Sequence, residues 1–193
     1  ALAQSSNTAA VRLLLRAGGA RTVAASARRL GIADKLPDNP SLALGTGEVG
    51  LLELAAAYAP FFNGGRAVTP SGIEAIEADG RKVAAPRARE KQVIDRDVGA
   101  MMARMLAAVV ARGTGRVAAV PGRLVAGKTG TTQEDRDAWF IGWIGPEHAN
   151  AGGAAGGEVI GVWIGNDRGE PMRGVTGGGL PARLFREIAQ EVR

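Results

Sequence analysis

The stretch that decides the fold is Arg123-Leu-Val-Ala-Gly-Lys-Thr-Gly-Thr-Thr132. A short polar turn, 133–136, separates it from a second apolar run, Asp137-Ala-Trp-Phe-Ile-Gly-Trp-Ile-Gly145. Two such runs joined by a polar turn predict a β-hairpin. A third apolar run, Glu158–Gly165, predicts a further strand. Because the second and third runs are nearly continuous rather than alternating, we expect a sheet that is buried on both faces.

The first strand of this hairpin carries the residues with the clearest chemistry. A glycine inside a strand, here Gly130, is typical of a place where a ligand or another backbone approaches closely. Lys128 stands two residues before it, and Thr129 and Thr131 flank it. Side chains at positions i and i+2 of a strand project from the same face. The pattern therefore indicates an anion-binding strand, although Lys-Thr-Gly alone also occurs in ordinary surface turns.

Helical patterns surround the predicted hairpin and can cover its faces. They span Thr8–Arg16, Arg21–Leu30, Leu51–Phe62, Val98–Ala111 and Pro181–Val192. Between the third and fourth helices, Ala67–Pro70 and the runs on either side of Asp79-Gly80 predict a small meander, because Asp-Gly between alternating residues favours a hairpin turn. The predicted fold class is α+β, an antiparallel sheet with helices on both faces.

Composition excludes several classes of function. The chain of 193 residues has no cysteine and one histidine, His148, which argues against thiolate and multi-histidine metal sites. We expect no metal, and the main interpretation of the chain includes no cofactor. Its longest apolar run, Val49–Phe62, contains Glu53 and is shorter than the roughly 18 residues of a membrane span. The net charge is +5, but the basic residues are scattered among acidic ones and 4% of residues are aromatic, so we expect no nucleic-acid partner.

A glycine motif offers a rival interpretation from another class. Gly45-x-Gly47-x-x-Gly50 matches the dinucleotide fingerprint, with the strand-like segment Ser41–Leu44 before it and a helical pattern after it. A doubly wound fold would then require a regular alternation of strands and helices, which the rest of the chain lacks. Dinucleotide binding stays open as a remote alternative.

A set of motifs in a fixed order gives a more specific indication. The motifs are Ser5-x-Asn7, Ser41-Leu-Ala-Leu-Gly45, Leu51-Leu-Glu-Leu-Ala55, Phe61-Phe-Asn-Gly-Gly65, Lys128-Thr-Gly-Thr-Thr132, Arg136-Asp-Ala-Trp-Phe-Ile-Gly142, Gly161-Val-Trp-Ile-Gly-Asn-Asp167 and Gly177-Gly-Gly-Leu-Pro-Ala182. Together they resemble the transpeptidase domain of class A penicillin-binding proteins. The resemblance runs nearly from end to end, and it implies the fold shared by penicillin-binding transpeptidases and serine β-lactamases.

The resemblance implies a peptidoglycan cross-linking D,D-transpeptidase. Such enzymes transfer the acyl group of a D-Ala-D-Ala stem peptide to a serine and then to an amine of a neighbouring strand, and β-lactams occupy the same site. By match, Ser5 would relay a proton to the leaving amine, and Asn7 would hold the peptide and the acylating lysine. Lys128 would bond Ser5 and supply positive potential. A serine or asparagine at this place is also typical of a helix N-cap.

The resemblance assigns substrate binding to the Lys-Thr-Gly strand. The hydroxyls of Thr129 and Thr131 would bind the terminal carboxylate of the stem peptide. The backbone N–H of Thr131 would be half of the oxyanion hole, in which each donor is typically worth about 3 kcal/mol. Gly130 would leave room for substrate along the strand edge, and Thr132 would complete the binding segment.

One element of the family pattern is missing, because no serine in the chain is followed three residues later by lysine. We therefore expect residues 1–193 to be the C-terminal part of a transpeptidase domain, incomplete in this chain. The N-terminal part carrying Ser-x-x-Lys would be its partner, and a glycan-polymerising domain and a membrane anchor would lie further upstream. The site would then be periplasmic, this chain alone would be inactive, and the strand Ala138–Ile144 would be incompletely covered.

Two other interpretations stay open within the resemblance. A D,D-carboxypeptidase or a β-lactamase would carry a similar Lys-Thr-Gly strand but would pass the acyl group to water. A non-catalytic remnant would bind stem peptides without reacting with them.

Overall fold

The computed structural model of the chain describes residues 1–73, 75–78, 80–84, 91–146 and 156–192. The helices are α1 (Asn7–Arg16), α2 (Ala20–Leu30), α3 (Leu51–Tyr58), α4 (Arg96–Arg112) and α5 (Leu180–Glu191). The strands are β1 (Ala75–Ala78), β2 (Arg81–Ala84), β3 (Val125–Thr131), β4 (Asp137–Ile144) and β5 (Glu158–Gly165). Short 3-10 helices lie at Leu2–Gln4, Pro40–Leu44, Ala59–Phe61, Arg116–Ala118 and Gln133–Asp135. Asp79 and His148 lie outside the described residues.

The central sheet has the order β3-β4-β5 and is antiparallel throughout. The predicted hairpin of β3 and β4 is confirmed, and Lys128 of β3 pairs with Ile141 of β4. The register places Trp139 of β4 opposite Trp163 of β5. β1 and β2 form a separate two-stranded antiparallel sheet.

Both faces of the central sheet are packed, as the apolar strands predict. On one face, Phe140 and Ile144 of β4 belong to a buried cluster with Phe185 of α5. On the other face, Trp143 stacks on Phe62 with ring centroids 4.8 Å apart and planes 3° apart, in a cluster that includes residues of α4. The α+β architecture with helices on both sides of an antiparallel sheet is therefore confirmed.

The expectation that Ala138–Ile144 is incompletely covered is wrong. Ala138 and residues 140–144 are buried within this chain alone. The reason is that both faces of β4 are covered within the chain, by α5 on the side of Phe140 and by Phe62 and α4 on the side of Trp143. Many exposed apolar side chains lie on the helices, where the largest exposed fractions are those of Leu13, Leu15, Leu52, Val98 and Met101, and Trp163 of β5 is also exposed.

Two predicted strands are not strands in the structure. Ser41–Leu44 belongs to a 3-10 helix that begins at Pro40, where the side chain of Asn39 accepts a hydrogen bond from the Ser41 N–H at 3.0 Å. The glycine motif 45–50 thus lacks the preceding strand that a dinucleotide fingerprint requires. Ala67–Pro70 is also irregular, and the neighbouring Arg66 forms a single bridge to Gln92.

We expect the packing between α5 and the sheet to dominate the stability of this half of the core. Phe185 is fully buried, and its ring centroid lies 4.8 Å from that of Phe140. Gly142 lies beneath both rings, where a β-carbon would come within 2.7 Å of each. Phe185→Ala should therefore lower the free energy of unfolding by about 3–5 kcal/mol, measured by urea denaturation.

The matched control is Ile188→Ala on the same helix, because Ile188 is 46% exposed. That change should cost less than about 1 kcal/mol. Equal losses for the two variants would show that α5 does not contribute its stability through the buried ring.

Candidate active site

The structure brings Lys128 and Ser5 together across most of the chain. Lys128 Nζ donates a hydrogen bond to Ser5 Oγ at 2.8 Å, and a second one to the carbonyl oxygen of Thr129 at 2.9 Å. The ammonium group is partly buried, and this burial lowers the pKa of Lys128. The Lys128 ammonium group thus lies beside a hydroxyl at a position that is partly shielded from solvent. Such an arrangement is suited to stabilising an anionic group.

Ser5 owes its direction to an unusual backbone conformation. The 3-10 helix Leu2–Gln4 ends at Ser5, whose φ of 52° and ψ of 45° lie in the left-handed region. This conformation costs energy for a residue other than glycine, and such residues cluster at functional sites. The N-cap of α1 is the next residue, Ser6, whose Oγ accepts from the Ala9 N–H at 3.4 Å. Because Ser6 takes the capping role, the Ser5 hydroxyl is available to Lys128.

Asn7 lies near Ser5 in the sequence, but its side chain bonds neither to Ser5 nor to Lys128. It is the exposed first residue of α1, two positions after Ser5. Within the described ranges its side chain makes no hydrogen bond. Its assigned contact with substrate and with an acylating lysine stays a prediction.

The two threonines of β3 share one face, as their spacing predicts. Thr131 Oγ1 accepts a hydrogen bond from the Gly177 N–H at 3.0 Å. Thr129 Oγ1 lies 2.7 Å from Thr114 Oγ1, and the methyl group of Thr129 faces Gly178. In the bond to Gly177 the Thr131 hydroxyl is the acceptor, so this bond does not use the hydroxyl proton, which is available for a ligand.

The outer edge of β3 exposes the backbone of Thr131. The Thr132 N–H bonds to the carbonyl oxygen of Asp137, that is, toward β4. Backbone groups alternate in direction along a strand, so the N–H of Thr131 points to the opposite edge. No other strand in the described part of the chain pairs with that edge. This edge, the two threonine hydroxyls and the Lys128–Ser5 pair are the parts of the candidate site.

Gly130 allows a close approach, but the group that approaches it in the structure belongs to the chain itself. A β-carbon on Gly177 would overlap the backbone of Gly130. A β-carbon on Gly130 would lie 3.2 Å from the β-carbon of Trp139, a tight contact. The glycine is therefore explained by packing, and room for a substrate at this residue stays a prediction.

Thr132 has a partner within the hairpin. Its Oγ1 donates to Asp137 Oδ2 at 3.2 Å and accepts from the Asp137 N–H at 2.8 Å. Trp163 Nε1 donates to the other carboxylate oxygen, Oδ1, at 2.9 Å. Asp137 thus joins β3 to β5 at the end of the binding strand. A direct contact of Thr132 with substrate stays a prediction.

Sequence reasoning missed three residues that support this site. They are Thr114, which bonds Thr129, Gly177, which bonds Thr131, and Asp137, which holds Thr132. Gly177 and Asp137 lie in motifs that the resemblance includes, but their partners are remote in sequence. The Gly-Thr-Gly segment 113–115 could have been noticed from its two glycines, which are typical of close backbone contacts.

The described ranges hold no group of three or more His, Cys, Asp or Glu side chains placed to bind a metal ion. In those ranges no helix has the length and apolar character needed to cross a membrane.

Comparison with known proteins places the chain in a family. Residues 1–150 match the family described as penicillin binding protein transpeptidase domain. Penicillin-binding protein 1A of Aquifex aeolicus is 41% identical over 168 residues, which are 86% of this chain and 21% of that protein. The chain therefore spans about a fifth of the length of this relative.

Solved structures share the fold. Penicillin-binding protein 1A of Haemophilus influenzae has a TM-score of 0.79 at 24% identity, over 96% of this chain and 33% of the other. Penicillin-binding protein 3 of Mycobacterium tuberculosis, solved with ampicillin, has a TM-score of 0.76 at 26% identity, over 98% of this chain and 48% of the other. The chain therefore belongs to the transpeptidase family of penicillin-binding proteins, and its resemblance to the class A members is confirmed.

Proposed function

We propose that this chain forms part of a D,D-transpeptidase that cross-links peptidoglycan through a serine acyl-enzyme and is inhibited by β-lactams. The observation that carries the proposal is the 2.8 Å contact between Lys128 Nζ and Ser5 Oγ, next to the open edge of β3. Membership of the transpeptidase family and the ampicillin complex of a similar structure support it.

In the first step, a serine hydroxyl attacks the carbonyl carbon of the penultimate D-Ala and the terminal D-Ala leaves as an amine. That amine needs a proton, which the Ser5 hydroxyl donates. Ser5 in turn accepts the proton that the hydroxyl of the nucleophilic serine releases. Lys128 stabilises the negative charge that passes through Ser5 during this relay. In the second step an acceptor amine attacks the acyl-enzyme, and the relay runs in reverse.

The strand β3 orients the acyl donor. The terminal carboxylate of the stem peptide accepts hydrogen bonds from the hydroxyls of Thr129 and Thr131, with Lys128 nearby as the counter-charge. The outward N–H of Thr131 then lies where the carbonyl oxygen becomes an oxyanion. A β-lactam with a carboxylate beside its reactive ring presents the same two groups.

The nucleophile of this proposal lies outside the 193 residues. No Ser-x-x-Lys occurs in them, and the chain spans about a fifth of a curated relative. A preceding segment of the same protein would supply the acylated serine and its activating lysine. An upstream glycan-polymerising domain and a membrane anchor, which would place the site in the periplasm, belong to the same proposal.

The group that accepts the acyl chain distinguishes a transpeptidase from a carboxypeptidase or a β-lactamase. The protein containing this chain should form a covalent complex with labelled penicillin and should transfer a stem-peptide acyl group to an added amine. Release of the acyl group to water alone would identify a carboxypeptidase or a β-lactamase. Failure of the whole protein to react, while it still binds a stem peptide, would identify a non-catalytic stem-peptide-binding protein.

Thr131→Val tests the carboxylate contact in that protein. Valine keeps the shape and the backbone N–H but lacks the hydroxyl, so one charge-assisted hydrogen bond of about 1.5–3 kcal/mol is lost. The second-order rate constant for acylation by benzylpenicillin should fall roughly ten- to a hundred-fold.

The control for this change is Thr22→Val on α2, whose hydroxyl bonds to Gly18 within its own helix region. It should leave acylation unchanged. An unaltered rate constant in Thr131→Val would show that this threonine does not bind the carboxylate.

A further inference from the structure

We propose that Thr114 is a positioning residue that sets the direction of the Thr129 hydroxyl for carboxylate binding. The proposal rests on the function proposed above and adds a residue that the Lys-Thr-Gly and Ser-x-Asn motifs do not contain. Thr114 lies directly after α4, between Gly113 and Gly115.

Thr114 joins the two parts of the site. Its backbone N–H donates to the carbonyl oxygen of Ala3 at 3.0 Å, two residues before Ser5. Its Oγ1 lies 2.7 Å from Oγ1 of Thr129 on β3. One residue thus holds the segment that carries Ser5 and the strand that carries Lys128.

Close packing gives this junction little freedom. A β-carbon on Gly113 would overlap the Ala3 carbonyl oxygen. A β-carbon on Gly178 would lie 2.5 Å from the carbonyl oxygen of Thr114. The backbone of Thr114 is therefore enclosed by the Ser5 segment on one side and by the glycine segment near Thr129 on the other. The contact of the Thr114 side chain with Thr129 therefore starts from a restrained backbone.

The direction of the threonine–threonine bond decides what Thr129 can offer a ligand. Each hydroxyl has a single proton to donate. If Thr129 donates to Thr114, it has no proton for a carboxylate. If Thr114 donates, Thr129 accepts that bond and its own proton is available. Lys128 Nζ also approaches Thr129 Oγ1 at 3.5 Å, as a second donor. Binding of an anion should therefore select the state in which Thr114 is the donor.

The test compares two ligands on the full-length protein that contains this chain. Benzylpenicillin carries the carboxylate, and benzylpenicillin methyl ester does not. In Thr114→Val and in Thr114→Ala, the acylation rate constant for benzylpenicillin should fall about three- to ten-fold, the effect of one hydrogen bond. The rate constant for the methyl ester should stay at the wild-type value. Thr114→Ser keeps the hydroxyl and should restore the benzylpenicillin rate.

The ratio of the two rate constants within each variant is independent of how much protein is correctly folded, so a partly unfolded variant still gives a result. In a Thr129→Val background, Thr114→Val should cause no further loss. The proposal would be overturned if the ratio stayed at the wild-type value, as it does when both ligands lose the same factor. Independent losses at Thr114 and Thr129 would also overturn it. An unreactive wild-type protein would refute the proposed function itself, and this inference with it.

Discussion

Lys128→Ala should reduce acylation of the full-length protein by labelled penicillin at least about a hundred-fold, close to abolishing it. Two effects act together in this variant. Under the proposed function, the Ser5 hydroxyl loses its charged partner in the proton relay, and the ligand carboxylate loses the positive charge next to the two threonines. A charge-assisted hydrogen bond alone is worth about 1.5–3 kcal/mol, and the field at the carboxylate adds to it.

The measurement is the time course of covalent labelling at several penicillin concentrations, with circular dichroism to show that the variant is folded. Lys35→Ala is the matched control, because Lys35 is exposed on the surface after α2. It removes the same charge from the whole protein but none from the site. Labelling of Lys128→Ala at near the wild-type rate would rule out the assigned role.

The second large effect concerns these 193 residues by themselves. Incubation of the purified chain with penicillin should yield no covalent adduct by mass spectrometry. The same experiment on the full-length protein should yield one adduct, on a serine outside this chain. Acyl transfer to a serine requires a base that removes the hydroxyl proton. Ser5 Oγ instead accepts a hydrogen bond from Lys128, which acts as a donor there.

The interpretation of that result depends on a folded chain. The sheet is covered on both faces within the chain, so a cooperative thermal transition should be visible and should be recorded for the same sample. An adduct on the isolated chain, above all on Ser5, would place the nucleophile inside these residues. An adduct on Ser5 would also mean that Lys128 acts as the base that removes the Ser5 hydroxyl proton.

Most of the secondary structure followed from local patterns in the sequence. The hairpin β3–β4 was predictable because a polar turn separates two apolar runs. α4 was predictable because Asp95 caps an apolar helical pattern that ends before Gly113, and Asp95 does accept from the Asp97 N–H at 2.8 Å. Ser41–Leu44 misled this reasoning, because a short apolar segment has no periodicity that separates a strand from a 3-10 turn.

The candidate site was predictable only in part. Motif order pointed to Ser5 and Lys128, and the i, i+2 spacing on a strand placed Thr129 and Thr131 on one face. These inferences use neighbours in sequence or a known set of motifs. The 2.8 Å contact between residues 123 positions apart had to come from the packing of the first 3-10 helix against α4 and of α4 against β3.

The tertiary structure alone decided the supporting contacts and the cover of the sheet. Thr114 faces Thr129 and Asp137 faces Trp163 because separate strands and loops meet there, and hydroxyl or carboxylate partners leave no periodic signal in a sequence. The burial of Ala138 and residues 140–144 followed from the elements that pack on the two faces of β4, and these come from distant parts of the chain. The sequence by itself determined the five helices and the three strands of the central sheet, because these follow from local backbone preferences and apolar patterns. Which side chains meet depends on the long-range packing of the whole chain.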